Sequence, residues 1–599
     1  MRTFYTSRDI EDMVARGVTE LEVSAEITLT DEAEDRAARL GLALRRDRRP
    51  SHVPTSQADR DGHTGTTVPG ISESELSEII RDVLARTMGD GQVQVQASRP
   101  ATSPGQTLIR KQLLINGRWV DSASGKFFAV TNPATNLVIA EVAEAGPEDV
   151  SSAVAAARKA FEEGPWSRMS AAERGRCLYR VAQLLRERAE SLAVLETTNA
   201  GKPISQTRVV DLPAAAETFE YYAGAADKIE GATMPLPGNF LNYTLREPLG
   251  VVGIIVPWNF PLLITSWKMA PALAAGNAVV LKPASLTPLS ALELGAICLE
   301  AGIPEGVVNV VPGPGSSVGD SLVQHPEVAK IAFTGETGTG RGIARGGAET
   351  IKRVTLELGG KSPNIVFDDA DIERAVRGSL FAIYLNAGEV CAAGSRLFVH
   401  ERIHDAFLDR FVSKARAIRV GDTMNERTQM GPLISRQQLE KVRGYIRSGV
   451  DQGAKLVYGG TSPSSPECLQ GNYLLPTVFD DVTMNMRIAQ EEIFGPVVAV
   501  LTFRDEDEVV RQANSLIYGL AAGIWTHDIT RAHRVASRIK SGNIWINTYN
   551  LVPVEAPFGG YKQSGIGRDL GLEALNGYLQ TKNVCVDLSV EGIDWFRDS

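Results

Sequence analysis

Apolar residues follow two alternating patterns along most of the chain. From Leu113-Leu-Ile-Asn-Gly-Arg-Trp-Val120 onward, short β-branched runs such as Val251-Val-Gly-Ile-Ile-Val256, Ala278-Val-Val-Leu281 and Ile365-Val-Phe367 are separated by helical stretches such as residues 288–301. A strand that is apolar at consecutive positions has no face to offer water, so both faces of its sheet must be covered. Strands alternating with helices join in parallel order. The predicted fold class is therefore α/β, built on a largely parallel sheet.

The first hundred residues read differently. Residues 1–45 predict a small αβα module: Thr6 with Asp9 caps a helix ending near Gly17, Leu21 to Leu29 alternates as a strand, and Asp31 to Gly41 returns to helix. Residues 46–72 are rich in Pro, Ser, Thr, Asp and Gly and read as a linker. Over residues 73–89, Leu76, Ile79, Ile80, Val83 and Leu84 fall at i, i+3, i+4, i+7 and i+8, one apolar stripe on an otherwise charged helix. Residues 90–106 form a second linker. A helix of about four turns held between two tethers is marginal alone. Its stripe needs a partner surface, either on its own enzyme or on another protein.

Composition narrows the class. With 599 residues the chain exceeds what one core organises. A net charge of −10 argues against a nucleic-acid partner, because phosphate binding needs concentrated Lys and Arg. Cysteines 177, 298, 391, 468 and 585 lie far apart, with neither disulfide nor zinc-site spacing, which suits a reducing compartment and gives no metal site. No apolar run reaches the length of about 18 residues that a membrane span needs, and the N-terminus has no signal-peptide core. The expectation is a cytoplasmic protein with no membrane partner.

Candidate chemistry centres on Cys391, in Asn386-Ala-Gly-Glu-Val-Cys-Ala-Ala-Gly-Ser-Arg396, and on Glu357, in Leu356-Glu-Leu-Gly-Gly-Lys-Ser-Pro-Asn364. A thiol flanked by Gly and Ala leaves room for a substrate carbon, and a carboxylate can activate water against the thioester that follows. Taken alone, a lone Cys usually reads as a small buried apolar residue. Phe333-Thr-Gly-Glu-Thr-Gly-Thr-Gly340 is either a plain Gly-rich turn or a cradle that brings backbone N–H groups to a phosphate. Asn259 is either a helix cap or an amide donor for an oxyanion.

Together with Pro257-Trp-Asn-Phe-Pro261, Leu281-Lys-Pro-Ala284, Glu491-Glu-Ile-Phe-Gly-Pro496 and Pro557-Phe-Gly-Gly-Tyr-Lys-Gln-Ser-Gly-Ile-Gly-Arg568, these strings resemble the NAD(P)-dependent aldehyde dehydrogenase family from about residue 110 to about 590. The resemblance implies a Rossmann-like cofactor domain over 107–229 and 249–359, an α/β catalytic domain over 360–570, and a small β oligomerisation element over 230–248 and 571–590. It also implies a homodimer or homotetramer. By the same resemblance Cys391 is the nucleophile, Glu357 the base, Asn259 the oxyanion donor and Lys268 part of a proton relay. Its usual late acidic partner is displaced, since Leu572 stands where a Glu is common.

NAD or NADP is the implied cofactor, held by Val256, Trp258, Lys282, Ser285, Gly315, Gly335, Glu336, Gly340, Leu358, Glu492 and Phe494. Ser285, in a place where many NAD-preferring members carry an acid, keeps NADP open because a hydroxyl does not repel a 2′-phosphate. Phe260, Trp267 and Tyr549, with Asn550 and Glu555 nearby, are the candidate aldehyde tunnel. An aromatic wall of that kind favours cationic aldehydes, and the Gly592-Ile-Asp-Trp-Phe596 ending is similar to betaine-aldehyde and aminoaldehyde members. The rival readings are a CoA-acylating relative, which typically lacks the base, and a catalytically silent binding or scaffold protein on the same fold. Residues 73–89 are similar to encapsulation peptides of bacterial microcompartments, which implies a shell protein as partner and the compartment lumen as location.

Overall fold

The computed structural model describes residues 109–590 continuously, together with 3–5, 13–14, 18–23, 27–29, 37, 40, 42–46, 592 and 595. One eight-stranded sheet runs in the order Gly565–Ile566, Arg353–Glu357, Val328–Thr334, Val251–Ile255, Ala278–Lys282, Val308–Val310, Leu113–Ile115, Arg118–Val120. Its five central strands are parallel. The chain lays down Val251–Ile255 first, adds two strands on one side, then crosses back to add two on the other. Such a reversal leaves a crevice at the carboxyl ends of the strands beside the first one laid down.

Consecutive apolar residues of these strands part to opposite faces. Val251, Ile255, Ala278 and Val280 join the core shared with Val150, Ala153, Val154 and Ala157 of helix Pro147–Glu162. Val252, Ile254, Val279 and Leu281 enter the larger core with helices Ala171–Glu187, Leu212–Ala225 and Pro261–Ala274. Burial of each large aliphatic side chain contributes roughly 1.5–3 kcal/mol, so a polar residue in either phase would be costly.

A seven-stranded sheet follows in the order Lys455–Tyr458, Thr477–Asp480, Val497–Phe503, Arg396–His400, Pro363–Val366, Ala521–Trp525, Asn543–Ile546. The two large sheets are stitched together by Gly565–Ile566, which returns to pair antiparallel with Arg353–Glu357 and sets Gly565 opposite Glu357. A separate antiparallel arm joins Thr233–Met234, Phe240–Pro248 and Leu579–Asp587. It leaves Leu241, Leu245, Val586 and Leu588 exposed.

Near the N-terminus, Thr3–Tyr5 pairs in parallel with Ile27–Leu29, and Glu20–Val23 with Ala43–Arg46. The single strand expected from Leu21 to Leu29 is thus two strands with different partners, and the strands at 3–5 and 43–46 were not anticipated. Segments of three or four residues are too short to show a period. The linker at 46–72, apart from Arg46, and the whole of 73–89 and 90–106 lie outside the described residues.

Candidate active site

Cys391 stands at the mouth of a tight loop between helix Ile372–Tyr384 and strand Arg396–His400. Three successive residues there, Asn386, Ala387 and Gly388, have φ of 49°, 52° and 75°. Left-handed backbone costs about 1–2 kcal/mol at each non-glycine position. Two local arrangements hold it. The Asn386 amide donates to the carbonyls of Asn259 at 3.0 Å and Glu389 at 3.3 Å. Gly388 must be glycine, because a Cβ would lie 2.2 Å from the Gly495 carbonyl oxygen.

The loop brings Asn259 to the thiol's side. Its Nδ2 donates one N–H to the Glu389 carbonyl at 2.9 Å, which leaves the second N–H of that amide for another acceptor. Asn259 is 4% exposed, and it is not the cap of helix Pro261–Ala274, whose N-cap residue is Phe260. Cys391 is half-buried. Burial, with the carboxylates of Glu492 and Glu357, pushes its thiol up to about 12, while the N–H groups of Ala392 and of Cys391 itself pull the other way. The resting thiol is therefore protonated at neutral pH and needs a base.

Glu357 ends the strand Arg353–Glu357 and is buried with neither carboxylate oxygen in good hydrogen-bond geometry. Burial raises its pKa well above the ordinary carboxylate value. The nearby Asp569 adds to the rise, and Lys268 and Arg568 oppose it. A carboxylate so placed is a stronger base than one in water. Gly559 lies against it, since a Cβ there would sit 2.6 Å from Glu357 Oε1.

Lys268 does have an acidic partner. Its Nζ lies 2.7 Å from Oδ2 of Asp569, and both side chains are buried. The expectation of a displaced acid at Leu572 is corrected: Leu572 is 53% exposed, and the charge it was thought to replace is supplied by Asp569 directly after Arg568. The signal in the sequence is the acid of Gly567-Arg-Asp569.

Most of the cofactor candidates gather at the carboxyl ends of the parallel strands. Val256 follows Val251–Ile255 and its N–H donates to the Lys282 carbonyl at 3.2 Å. Lys282 ends the next strand and is buried, and the half-buried Ser285 donates its hydroxyl to the Gly313 carbonyl at 3.0 Å. Gly315 opens the turn after Val308–Val310. Gly335 and Glu336 follow Val328–Thr334, and Gly340 packs so closely on Leu358 that a Cβ would meet its Cδ2 at 2.4 Å. Leu358 donates its N–H to Ser564 O at 2.9 Å.

Helix Thr337–Ala348 has no side-chain cap, and the hydroxyls of Thr334 and Thr337 are buried without partners. Those orphaned donors and the free helix N-terminus fit a diphosphate. Glu336 fits least. Its carboxylate lies beside Gly338 at that N-terminus and would repel a phosphate unless it turned outward.

Across the crevice, Phe494 (φ 58°) meets Trp258 edge-on at 5.2 Å. The Glu492 carboxylate accepts from Gly360 N–H at 3.2 Å, and burial raises its pKa to about 7. Sequence reasoning missed Lys361, which is 1% exposed, has no partner on its Nζ and is lowered to about 7 by burial. A Lys after two glycines reads as a surface turn.

The three candidate tunnel rings are buried. Phe260 and Trp267 are 9% exposed and Tyr549 is 3% exposed. Lys202 already sits 3.6 Å above the Phe260 ring, Trp267 packs on Phe558 at 5.3 Å, and the Tyr549 hydroxyl donates to the Ala392 carbonyl at 2.9 Å. These engagements remove the cation–π argument for a cationic aldehyde.

The model of the aldehyde dehydrogenase family matches residues 119–584. The chain is 49% identical over 496 residues to aldehyde dehydrogenase family 2 member B4, mitochondrial, of Arabidopsis thaliana, covering 82% of this chain and 91% of that one. It is 45% identical over 491 residues to the betaine aldehyde dehydrogenase of Bacillus subtilis (strain 168), covering 82% and 100%. Among solved structures, the NAD+ complex of an aldehyde dehydrogenase from Bacillus cereus superposes with a TM-score of 0.79 at 49% identity, over 80% of this chain and 97% of that one. With the family model over most of its length and relatives close to half identical, the chain belongs to the aldehyde dehydrogenase family and oxidises aldehydes.

Proposed function

We propose that the enzyme converts an aldehyde to a carboxylic acid with NAD or NADP, through a thiohemiacetal and a thioester on Cys391 that water resolves. The observation that carries this reading is Glu357, a buried carboxylate with raised pKa and unpaired oxygens in electrostatic reach of the thiol. The Cys391 thiol gives up its proton to solvent as its sulfur adds to the aldehyde carbon. The free N–H of Asn259 and the backbone N–H of Cys391 stabilise the oxygen that becomes anionic, a contribution of about 2.7–4 kcal/mol per donor in comparable sites. Bound NAD(P)+, held by Lys282, Glu492 and the N-terminus of helix Thr337–Ala348, supplies the hydride acceptor. Glu357 then removes a proton from water as it attacks the thioester, the acid departs, and that proton passes to the leaving Cys391 sulfur, restoring the thiol and the carboxylate.

Retention of this base favours water over CoA as the acyl acceptor. A panel of aldehydes assayed for NAD(P)H formation with and without CoA tests the reading. Turnover without CoA is expected, and strict CoA dependence contradicts it.

The exposed leucines and valines of the arm, Leu241, Leu245, Val586 and Leu588, support assembly as a homodimer or homotetramer through residues 230–248 and 571–590. The apolar stripe of residues 73–89 supports docking to a microcompartment shell protein, tested by co-purification of a fusion of residues 70–90 with shells of the native host. Among the described residues, no helix is long and apolar enough to cross a membrane.

A further inference from the structure

Asn259 and Cys391 lie on segments far apart in the chain, and one buried stretch, residues 202–211, braces both. Gln206 is 8% exposed, and its Oε1 accepts the Asn386 N–H at 3.2 Å. Asn386 is the first left-handed residue of the thiol loop. Leu385, with ψ of 134°, ends helix Ile372–Tyr384 and turns that N–H out of the helical ladder, so Gln206 supplies the acceptor that the helix no longer does. The side-chain amide of Asn386 meanwhile donates to the carbonyls of Asn259 and Glu389. One residue is thus fixed twice, its backbone by Gln206 and its side chain by Asn259.

The surroundings of Gln206 settle which end of its amide faces the loop. An N–H accepts nothing, so the carbonyl end must meet Asn386 and the NH2 end lies on the other side, with Asp211. Burial raises the pKa of Asp211, while Lys202 and the Gln206 amide oppose the rise. Asp211 closes the π turn Thr207–Asp211 that follows Gln206, and it pairs with the ammonium of Lys202, both side chains being 0% exposed. Lys202 in turn sits 3.6 Å from the centre of the ring of Phe260, the residue after Asn259. The stretch is anchored from behind: the Ile204 N–H donates to the Thr423 carbonyl at 2.8 Å, and the hydroxyls of Thr207 and Thr197 meet at 2.9 Å. Single π turns of this kind gather at functional sites.

We propose that Gln206 is a positioning residue for the thiol: through the Asn386 N–H it holds the left-handed turn that sets Cys391 against the Asn259 amide. This rests on the reading of Cys391 as nucleophile. Gln206 acts through Asn386 and takes no part in bond making. A loop released from this bond keeps its thiol but loses its aim, and the interactions it forfeits are those made as the aldehyde oxygen becomes anionic. Ground-state binding of aldehyde and cofactor is unaffected.

The test compares the full-length enzyme with three variants. Gln206→Met keeps the length of the side chain and removes the acceptor, and Gln206→Asn keeps the amide but withdraws it by one methylene. Gln206→Glu retains an acceptor oxygen in either protonation state. First-turnover NAD(P)H formation is followed by rapid mixing against aldehyde concentration, and cofactor affinity is measured by titration. Gln206→Met and Gln206→Asn should slow the maximal first-turnover rate by about tenfold to a hundredfold, as expected when a reacting group is displaced by about 1 Å. The half-saturating aldehyde concentration and the cofactor Kd should hold, and Gln206→Glu should restore a rate close to that of the wild type.

A folded Gln206→Met or Gln206→Asn with the wild-type rate overturns the proposal. So does a Gln206→Glu as slow as the other two, or a loss carried by weaker aldehyde or cofactor binding. Failure of both Gln206→Met and Gln206→Asn to fold marks Gln206 as merely structural and overturns it as well. Cys391→Ala is run in parallel. If that variant still forms NAD(P)H in its first turnover, the reading of Cys391 itself is wrong. If it forms none, and the Gln206 variants behave as wild type, only the positioning role is wrong.

Discussion

The Lys268 ammonium and the Asp569 carboxylate meet at 2.7 Å with side chains 0% and 1% exposed, joining helix Pro261–Ala274 to the segment that follows Gly565–Ile566. Such a pair need not stabilise the fold, but breaking it from one side leaves a buried charge at a cost of about 3–5 kcal/mol. Asp569→Ala should therefore lower the unfolding midpoint more than Lys268→Met with Asp569→Leu does. Equal losses in denaturant unfolding would show that the charges are not mutually dependent.

Glu357 should make the enzyme less stable as pH rises. Its folded pKa is raised, so the folded state holds the proton more tightly than the unfolded one, and stability is full at low pH and lost as pH climbs past the unfolded value of about 4.3. Glu357→Gln should unfold at a higher midpoint than the wild type at pH 8, with the gap closing towards pH 4. A gap that widens on acidification would contradict the assigned direction.

Asn259→Ala should lower kcat by about 10²–10³ through loss of one oxyanion donor. Cofactor affinity should hold, because the Asn259 amide bonds to the Glu389 carbonyl of the thiol loop and not to Lys282 or Ser285. An intact kcat would return Asn259 to a purely structural role in that loop.

Ser285→Glu should shift preference from NADP towards NAD, since a carboxylate at this loop would face the 2′-phosphate at short range. Ratios of kcat/KM for the two cofactors measure it. An unchanged ratio would mean that the hydroxyl, which donates to the Gly313 carbonyl, does not read the ribose.

Much of the cofactor half could be read from the chain because its strands carry unbroken apolar runs. Val251 to Ile255 could only be a strand covered on both faces, and the two cores confirm that physics. The candidate nucleophile and base were legible as a Cys among small residues and a Glu shortly before two glycines. What escaped was anything set by long-range packing. Asp569 was overlooked because its partner lies about three hundred residues away, and the burial of Lys330 and Lys361 is invisible in sequences that read as ordinary charged positions. The cation–π argument escaped for the same reason: an aromatic string says nothing of whether Lys202 already covers Phe260.

Cys391 as nucleophile and water as acyl acceptor are tested together by one experiment. Glu357→Gln is mixed with an oxidisable aldehyde and NAD(P)+ without CoA, quenched in acid, and weighed intact, with the modified residue located by peptide mapping. The account expects one acyl group per chain on Cys391, formed with the first NAD(P)H and released slowly whether or not CoA is then added. No adduct, an adduct elsewhere, or release driven by CoA would contradict it.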